Sequence, residues 1–210
     1  MADLTGLRRS PLDGLSADIR NGAAGEQSVR LLERPWLTMV SLRVDPRSEA
    51  ARRIEQVLGT RLPRACGEVT SQDAHDVLWL GPDEWLVVSQ MGADVLVKGV
   101  SDALAELRDT GAAAHAAVVD VSANRTVLEI SGPSARGVLE KGCPADLHPR
   151  AFDDGTAIAT TLARIPLLLW KVDPNLFRLL PRGSFAPYVA RWLLDAMQEF
   201  TPDRPALRGA

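Results

Sequence analysis

Two stretches of this chain carry the same plan, and that repetition constrains the fold more than any other feature. Leu78-Trp79-Leu80-Gly81-Pro82-Asp83-Glu84-Trp85-Leu86-Val87-Val88 reads as two apolar strands joined by a tight turn. Leu169-Trp170-Lys171-Val172-Asp173-Pro174-Asn175-Leu176-Phe177-Arg178-Leu179-Leu180 reads the same way. Each hairpin is preceded by a strand and a helix and followed by another helix. A near-repeat of this size predicts a duplicated α+β unit, because a solenoid needs several shorter repeats. On this reading Trp79 and Trp170 hold matching places in the two hairpins and share a packing role.

The flanking segments fill in the unit. Trp36 to Val44 alternates as a strand, with Trp36, Thr38, Val40, Leu42 and Val44 on one face. Asp45 is placed to cap a helix with Pro46 at its first position, and Gly59 to stop it. Residues 60–76 read as a polar connection. Val97, Val100, Leu104 and Leu107 mark a second helix ended by Gly111, and Ala116 to Val121 a short strand. The second half opens at Thr126, with Leu128 and Ile130 inward and Glu129 between them. Pro133 starts a short helix carrying Ala135, Val138 and Leu139. The last helix bears Phe185, Tyr188, Val189, Trp192, Leu193, Ala196, Met197 and Phe200 at helical spacing, with Ser184 as its cap.

Each half is thus strand, helix, hairpin, helix. The expected fold class is α+β: duplicated split βαβ halves, mostly antiparallel sheets with helices on one face. The halves span about 36–121 and 122–200 and pack into one body. Gly6, Gly14, Gly22 and Gly25 interrupt any helix in residues 1–35. This segment is either a flexible tail or an extended N-terminal arm that orders on a partner, anchored by Leu4, Leu7, Leu12, Leu15 and Ile19. Residues 201–210 read as a disordered tail.

Composition narrows the function classes. Apolar residues make up 46%, enough for a substantial core. The net charge of −3 gives no electrostatic case for nucleic acid or an anionic membrane. No apolar run approaches the roughly 18 residues of a membrane span, and no signal-peptide core follows Arg8 and Arg9. Cys66 and Cys143 lack C-x-x-C spacing and read as reduced thiols, which fits a cytoplasmic protein.

Chemistry-bearing patterns are sparse. His75, His115 and His148 lie far apart in sequence and next to no cysteine in a ligand pattern. Asp83-Glu84 and Asp153-Asp154-Gly155 are turn signals before they are acid–base pairs. Neither nucleotide-binding glycine fingerprint is present. Ser131-Gly132-Pro133-Ser134 is a strand-to-helix turn and not a nucleophile elbow. No catalytic, cofactor-binding or metal residue is assigned. The five tryptophans are weighed as core: Trp79 and Trp170 by their hairpins, Trp192 by its helix stripe. Trp36 and Trp85 could be core or could face a partner.

Val119-Asp120-Val121-Ser122, then Thr126 to Ala135, then Val138-Leu139 resembles the strand-turn-helix entry of the glycine-cleavage T-protein and related folate-binding proteins. Taken with Gly81-Pro82-Asp83-Glu84-Trp85, the second hairpin and the closing helix Tyr188 to Phe200, residues 36–200 resemble the gamma subunits of heterotetrameric sarcosine oxidases. The resemblance implies an accessory subunit of a complex that oxidises sarcosine to glycine. That complex forms hydrogen peroxide and formaldehyde, or 5,10-methylenetetrahydrofolate when folate is present. It implies alpha, beta and delta subunits as partners, with direct contact to alpha most expected. It places FAD, FMN, NAD and tetrahydrofolate in those other subunits and no cofactor in this chain. Whether this chain takes part in catalysis is left open by the resemblance. The alternative is a stand-alone tetrahydrofolate-binding or one-carbon-transfer protein, which would need a pocket between the halves lined by an unpaired carboxylate.

Overall fold

The computed structural model describes residues 8–20, 28–109 and 115–200. Its elements run α1 (Ser16–Arg20), β1 (Arg30–Glu33), β2 (Thr38–Val44), α2 (Glu49–Leu58), β3 (Val69–Gln72), β4 (His75–Gly81) and β5 (Glu84–Ser89). They continue with α3 (Ala93–Asp109), β6 (Ala116–Asp120), β7 (Leu128–Ser131), α4 (Ala135–Glu140), β8 (Thr156–Leu162), β9 (Ile165–Asp173), β10 (Leu176–Pro181) and α5 (Ala186–Ala196). The expected tail at 201–210 lies outside the described residues, as do the arm's Leu4 and Leu7 and the helix stop at Gly111.

The strands form two antiparallel sheets of matching plan. The first is ordered β3-β4-β5-β2-β6 and the second β8-β9-β10-β7-β1. In both, a hairpin lies beside the strand that opens the unit, which is the split βαβ order with one extra edge strand. α2 and α3 cover one face of the first sheet through Ile54, Leu58, Leu96, Val100 and Leu104. α1, α4 and α5 cover one face of the second through Ile19, Val138, Leu139, Val189 and Leu193. The uncovered faces meet each other over Met39, Leu78, Leu86, Val88, Leu168, Trp170 and Leu180. Helices, sheet, sheet and helices therefore form four layers around three apolar clusters.

The second sheet borrows its last strand. The place that β6 fills beside β2 is filled beside β7 by β1, from the far end of the chain, with Leu31 opposite Ile130. Of the segment 1–35, expected as a flexible tail or an extended arm, the described residues 8–20 and 28–35 carry α1 and β1. Val29, Leu31 and Leu12 are fully buried and Ile19 nearly so, inside the helix-covered core of the second sheet. The physical reason is that β7 would otherwise be an open edge, and β1 satisfies its backbone groups. The approach is tight: Gly132 has φ +112, and a Cβ there would lie 2.3 Å from the Ser28 carbonyl oxygen.

Local details differ from expectation in four places. Trp36 does not continue β2; it sits at φ +65 in the turn after Pro35 and is 57% exposed. Asp45 does not cap α2. Its carboxylate accepts from the Arg47 N–H, and Ser48 caps the helix by accepting from the Ala51 N–H. The connection at 60–76 contains β3, which pairs with β4. Ser184 lies in a 3₁₀ turn that leads into α5 and makes no side-chain cap.

Trp79 and Trp170 are not equivalent. Trp79 lies opposite Trp85 and packs toward the helices, whereas Trp170 lies opposite Arg178 and packs between the sheets. The two hairpins differ by one residue between tryptophan and turn proline, and a one-residue offset in a strand reverses the face.

Candidate functional site

The histidines stay apart in the structure. His75 is buried on β4 with Nδ1 unpartnered, and burial pushes its imidazole below its ordinary pKa, against the opposing pull of Asp76 and Asp73. His115 is exposed before β6, and His148 accepts the Arg150 N–H at 3.2 Å in a turn. Among the described residues no three His, Cys, Asp or Glu side chains are grouped to hold a metal ion. Cys66 is exposed, Cys143 buried, and both are free thiols.

The paired carboxylates hold structure. Glu84 pairs with Arg43 across the β5–β2 ladder at 2.6 Å, and the Asp83 carbonyl accepts from the Val44 N–H. Asp154 pairs with Lys171 at 2.9 Å. The nearly buried Lys171 also donates to the Phe152 carbonyl, so the loop before β8 is pinned to β9. Glu68 is held below the usual carboxylate range, first by its hydrogen bond from Arg61 and then by the Arg64 and Ala65 N–H groups, against the opposing effect of burial.

One polar constellation lies where the two sheets meet. Strand register sets Arg178 on β10 directly between Glu129 on β7 and Trp170 on β9. Its Nε lies 3.1 Å from Glu129 Oε2, its Nη1 lies 3.5 Å from Asp76 Oδ2 of the other sheet, and its guanidinium stacks over the Trp170 ring at 4.8 Å. Asp76 also accepts from Ser71 Oγ at 2.7 Å. The Trp170 Nε1–H is buried without a partner. One cation thus serves two carboxylates and ties both sheets together. Planar guanidinium and low exposure make it a directional clamp more than a proton relay.

Sequence reasoning missed this constellation. It read Glu129 as the polar position between two inward residues, but the first sheet covers that face of the second. The signal was present in the uninterrupted runs Leu167–Trp170 and Trp85–Val88, because a strand apolar on both faces is covered on both. Of the two open tryptophans, Trp85 is core, fully buried with its Nε1–H donated to the Pro63 carbonyl at 2.8 Å, and Trp36 is exposed.

Comparison with known proteins agrees with this architecture. Residues 43–199 match the profile of the sarcosine oxidase, gamma subunit family. The chain is 42% identical over 204 residues to a sarcosine oxidase subunit gamma of Corynebacterium sp. (strain P-1), covering 97% of this chain and 96% of that one. It is 43% identical over 201 residues to a sarcosine oxidase subunit gamma of Arthrobacter sp, covering 95% of each. Among solved structures, a chain of the heterotetrameric sarcosine oxidase from Corynebacterium sp. U-96 in complex with pyrrole 2-carboxylate superposes with a TM-score of 0.86. Identity there is 42%, over 95% of this chain and 100% of that one. The glycine cleavage system aminomethyltransferase T from Bartonella henselae superposes with a TM-score of 0.58 at 14% identity, over 90% of this chain and 57% of that one, so the two share a fold. On its profile match and its near-complete alignment to these relatives, the chain belongs to the sarcosine oxidase gamma subunit family.

Proposed function

We propose that this chain is the gamma subunit of a heterotetrameric sarcosine oxidase and that its part in the complex is assembly, with the chemistry carried elsewhere. The observation that carries the reading is the end-to-end alignment, in both directions, with a chain of a heterotetrameric sarcosine oxidase. The complex would oxidise sarcosine to glycine, releasing hydrogen peroxide and formaldehyde or loading the one-carbon unit on tetrahydrofolate. FAD, FMN, NAD and folate would be held by the other subunits. The partners would be alpha, beta and delta, with alpha in direct contact, in the cytoplasm. The interior supports an assembly role. Between the sheets lie apolar side chains and a clamp, Arg178 with Glu129 and Asp76, in which both carboxylates are already engaged by the one guanidinium. A pterin held between the halves would need a carboxylate left unpaired there.

The test is to tag the chain in its host, purify it gently, and record the absorbance spectrum and subunit masses of what accompanies it. The expected result is a yellow, flavin-containing assembly with three further chains. A colourless 22.7 kDa chain alone would overturn the reading.

A further inference from the structure

Two sheets of this kind have four edge strands, and different groups lie against each. The β3 and β8 ends are stitched together, with Glu68 bridged to Thr156 and the Ala157 N–H donated to the Gly67 carbonyl. β1 is packed by α1, and the Ser10 hydroxyl donates to the Glu33 carboxylate at its end. The fourth edge strand, β6, pairs with β2 alone among the described residues.

The register shows which backbone groups of β6 remain open. The Val121 N–H donates to the Met39 carbonyl, while the Met39 N–H donates to Ser122 Oγ, so the 121 and 39 backbone groups face each other at a hydrogen-bonded position of the ladder. Counting back by two along the antiparallel ladder, Val119 with Ser41 and Ala117 with Arg43 are also hydrogen-bonded pairs. The N–H and C=O groups of Ala116, Val118 and Asp120 therefore point outward, away from β2. The side chains make this edge hospitable. Ala-Ala-Val-Val-Asp carries no proline and no lysine, and its charge stands only at the end. Val119 is 53% exposed, and Ala117 beside it is exposed on the same face. Neither a proline nor a lysine within β6 blunts this edge.

We propose that the outer edge of β6 takes up an extended apolar strand of another subunit, which would lengthen the first sheet by one. This rests on the reading of the chain as a subunit of a larger complex. A strand is the occupant because outward donors and acceptors at every second residue are satisfied by another strand and poorly by a helix. Apolar side chains are expected opposite because Val119 and Ala117 offer no charge, and the nearby Arg43 is already paired with Glu84. A second copy of this chain fits less well. Two five-residue strands alone fall short of the roughly 1,200 Å² that stable interfaces bury, whereas a larger subunit brings further surface.

The experiment uses the co-expressed complex with this chain tagged. Val118→Pro removes an outward N–H while leaving the 117 and 119 bonds to β2 in place. Val119→Lys puts a charge on the open face at a position already exposed. Val95→Lys, equally exposed on α3, is the control. Wild type and Val95→Lys should recover flavin-containing partners equally, and both β6 variants at least tenfold less per tagged chain. In the wild-type complex, the amides of Ala116, Val118 and Asp120 should be protected from hydrogen exchange. Normal recovery with both β6 variants, or fast exchange of those three amides, would overturn the proposal. So would a loss confined to a homodimer. A wild-type chain that brings down no partner would overturn the subunit reading, and this proposal with it.

Discussion

Replacing Gly132 by alanine probes the junction where the N-terminal strand closes the second sheet. Two costs add. A φ of +112 is outside the regions an L-residue adopts freely, a strain on the order of 1–3 kcal/mol. The new methyl would also lie 2.3 Å from the Ser28 carbonyl oxygen, 3.1 Å from its carbon and 3.2 Å from Val29 Cα. Those are backbone atoms of the segment leading into β1, so relief means pulling β1 away from β7. Forcing extra volume into a packed site costs about 1–3 kcal/mol. The sum is about 2–6 kcal/mol, a large part of the ~5–15 kcal/mol that holds a typical domain together. Urea unfolding followed by tryptophan fluorescence should show the midpoint falling by roughly 1–3 M at an m-value of about 2–3 kcal/mol/M. Gly155→Ala is the internal control, because its φ of +76 imposes backbone strain while nothing lies within 4 Å of the added methyl. It should cost only the strain, about 1–2 kcal/mol. If Gly132→Ala were no worse than Gly155→Ala, the close packing of β1 on β7 would be refuted.

Two further outcomes follow from the interior. Arg178→Met strips the cation from Glu129 and Asp76. Breaking a buried pair costs about 3–5 kcal/mol, and their partial exposure lowers this to about 2–3 kcal/mol in the same unfolding assay. Adding Glu129→Gln to that variant should restore part of the loss, and a purely additive double variant would contradict the clamp. His75 favours its neutral form in the fold, so its contribution is present above the ordinary histidine pKa and is lost as pH falls through the lowered one. His75→Leu should flatten the acid side of the stability profile below about pH 6.5, and parallel profiles would count against that assignment.

The duplicated unit was legible because its carriers are local. Alternating apolar strands, tight Gly81-Pro82-Asp83 and Asp173-Pro174-Asn175 turns, and helices punctuated by Gly59 write their periods directly into sequence. What was hidden depends on contacts between distant residues. Nothing local in Arg30-Leu31-Leu32-Glu33 says that it pairs with Leu128–Ser131. Four residues cannot show a period, and the glycines around them favour a loop reading. The clamp of Arg178 was hidden for the same reason. Its partners come from β4 and β7, and they converge only because the two sheets stack face to face. The tryptophan mismatch arose from counting hairpin residues from the strand start, whereas register is counted from the turn and its bulges.

The most direct test of the account is native mass spectrometry of the tagged chain's assembly, gently purified from its host. A single species containing one copy of the 22.7 kDa chain with three other subunits and bound flavin is expected. A chain that flies alone or only with copies of itself, without flavin, would contradict it.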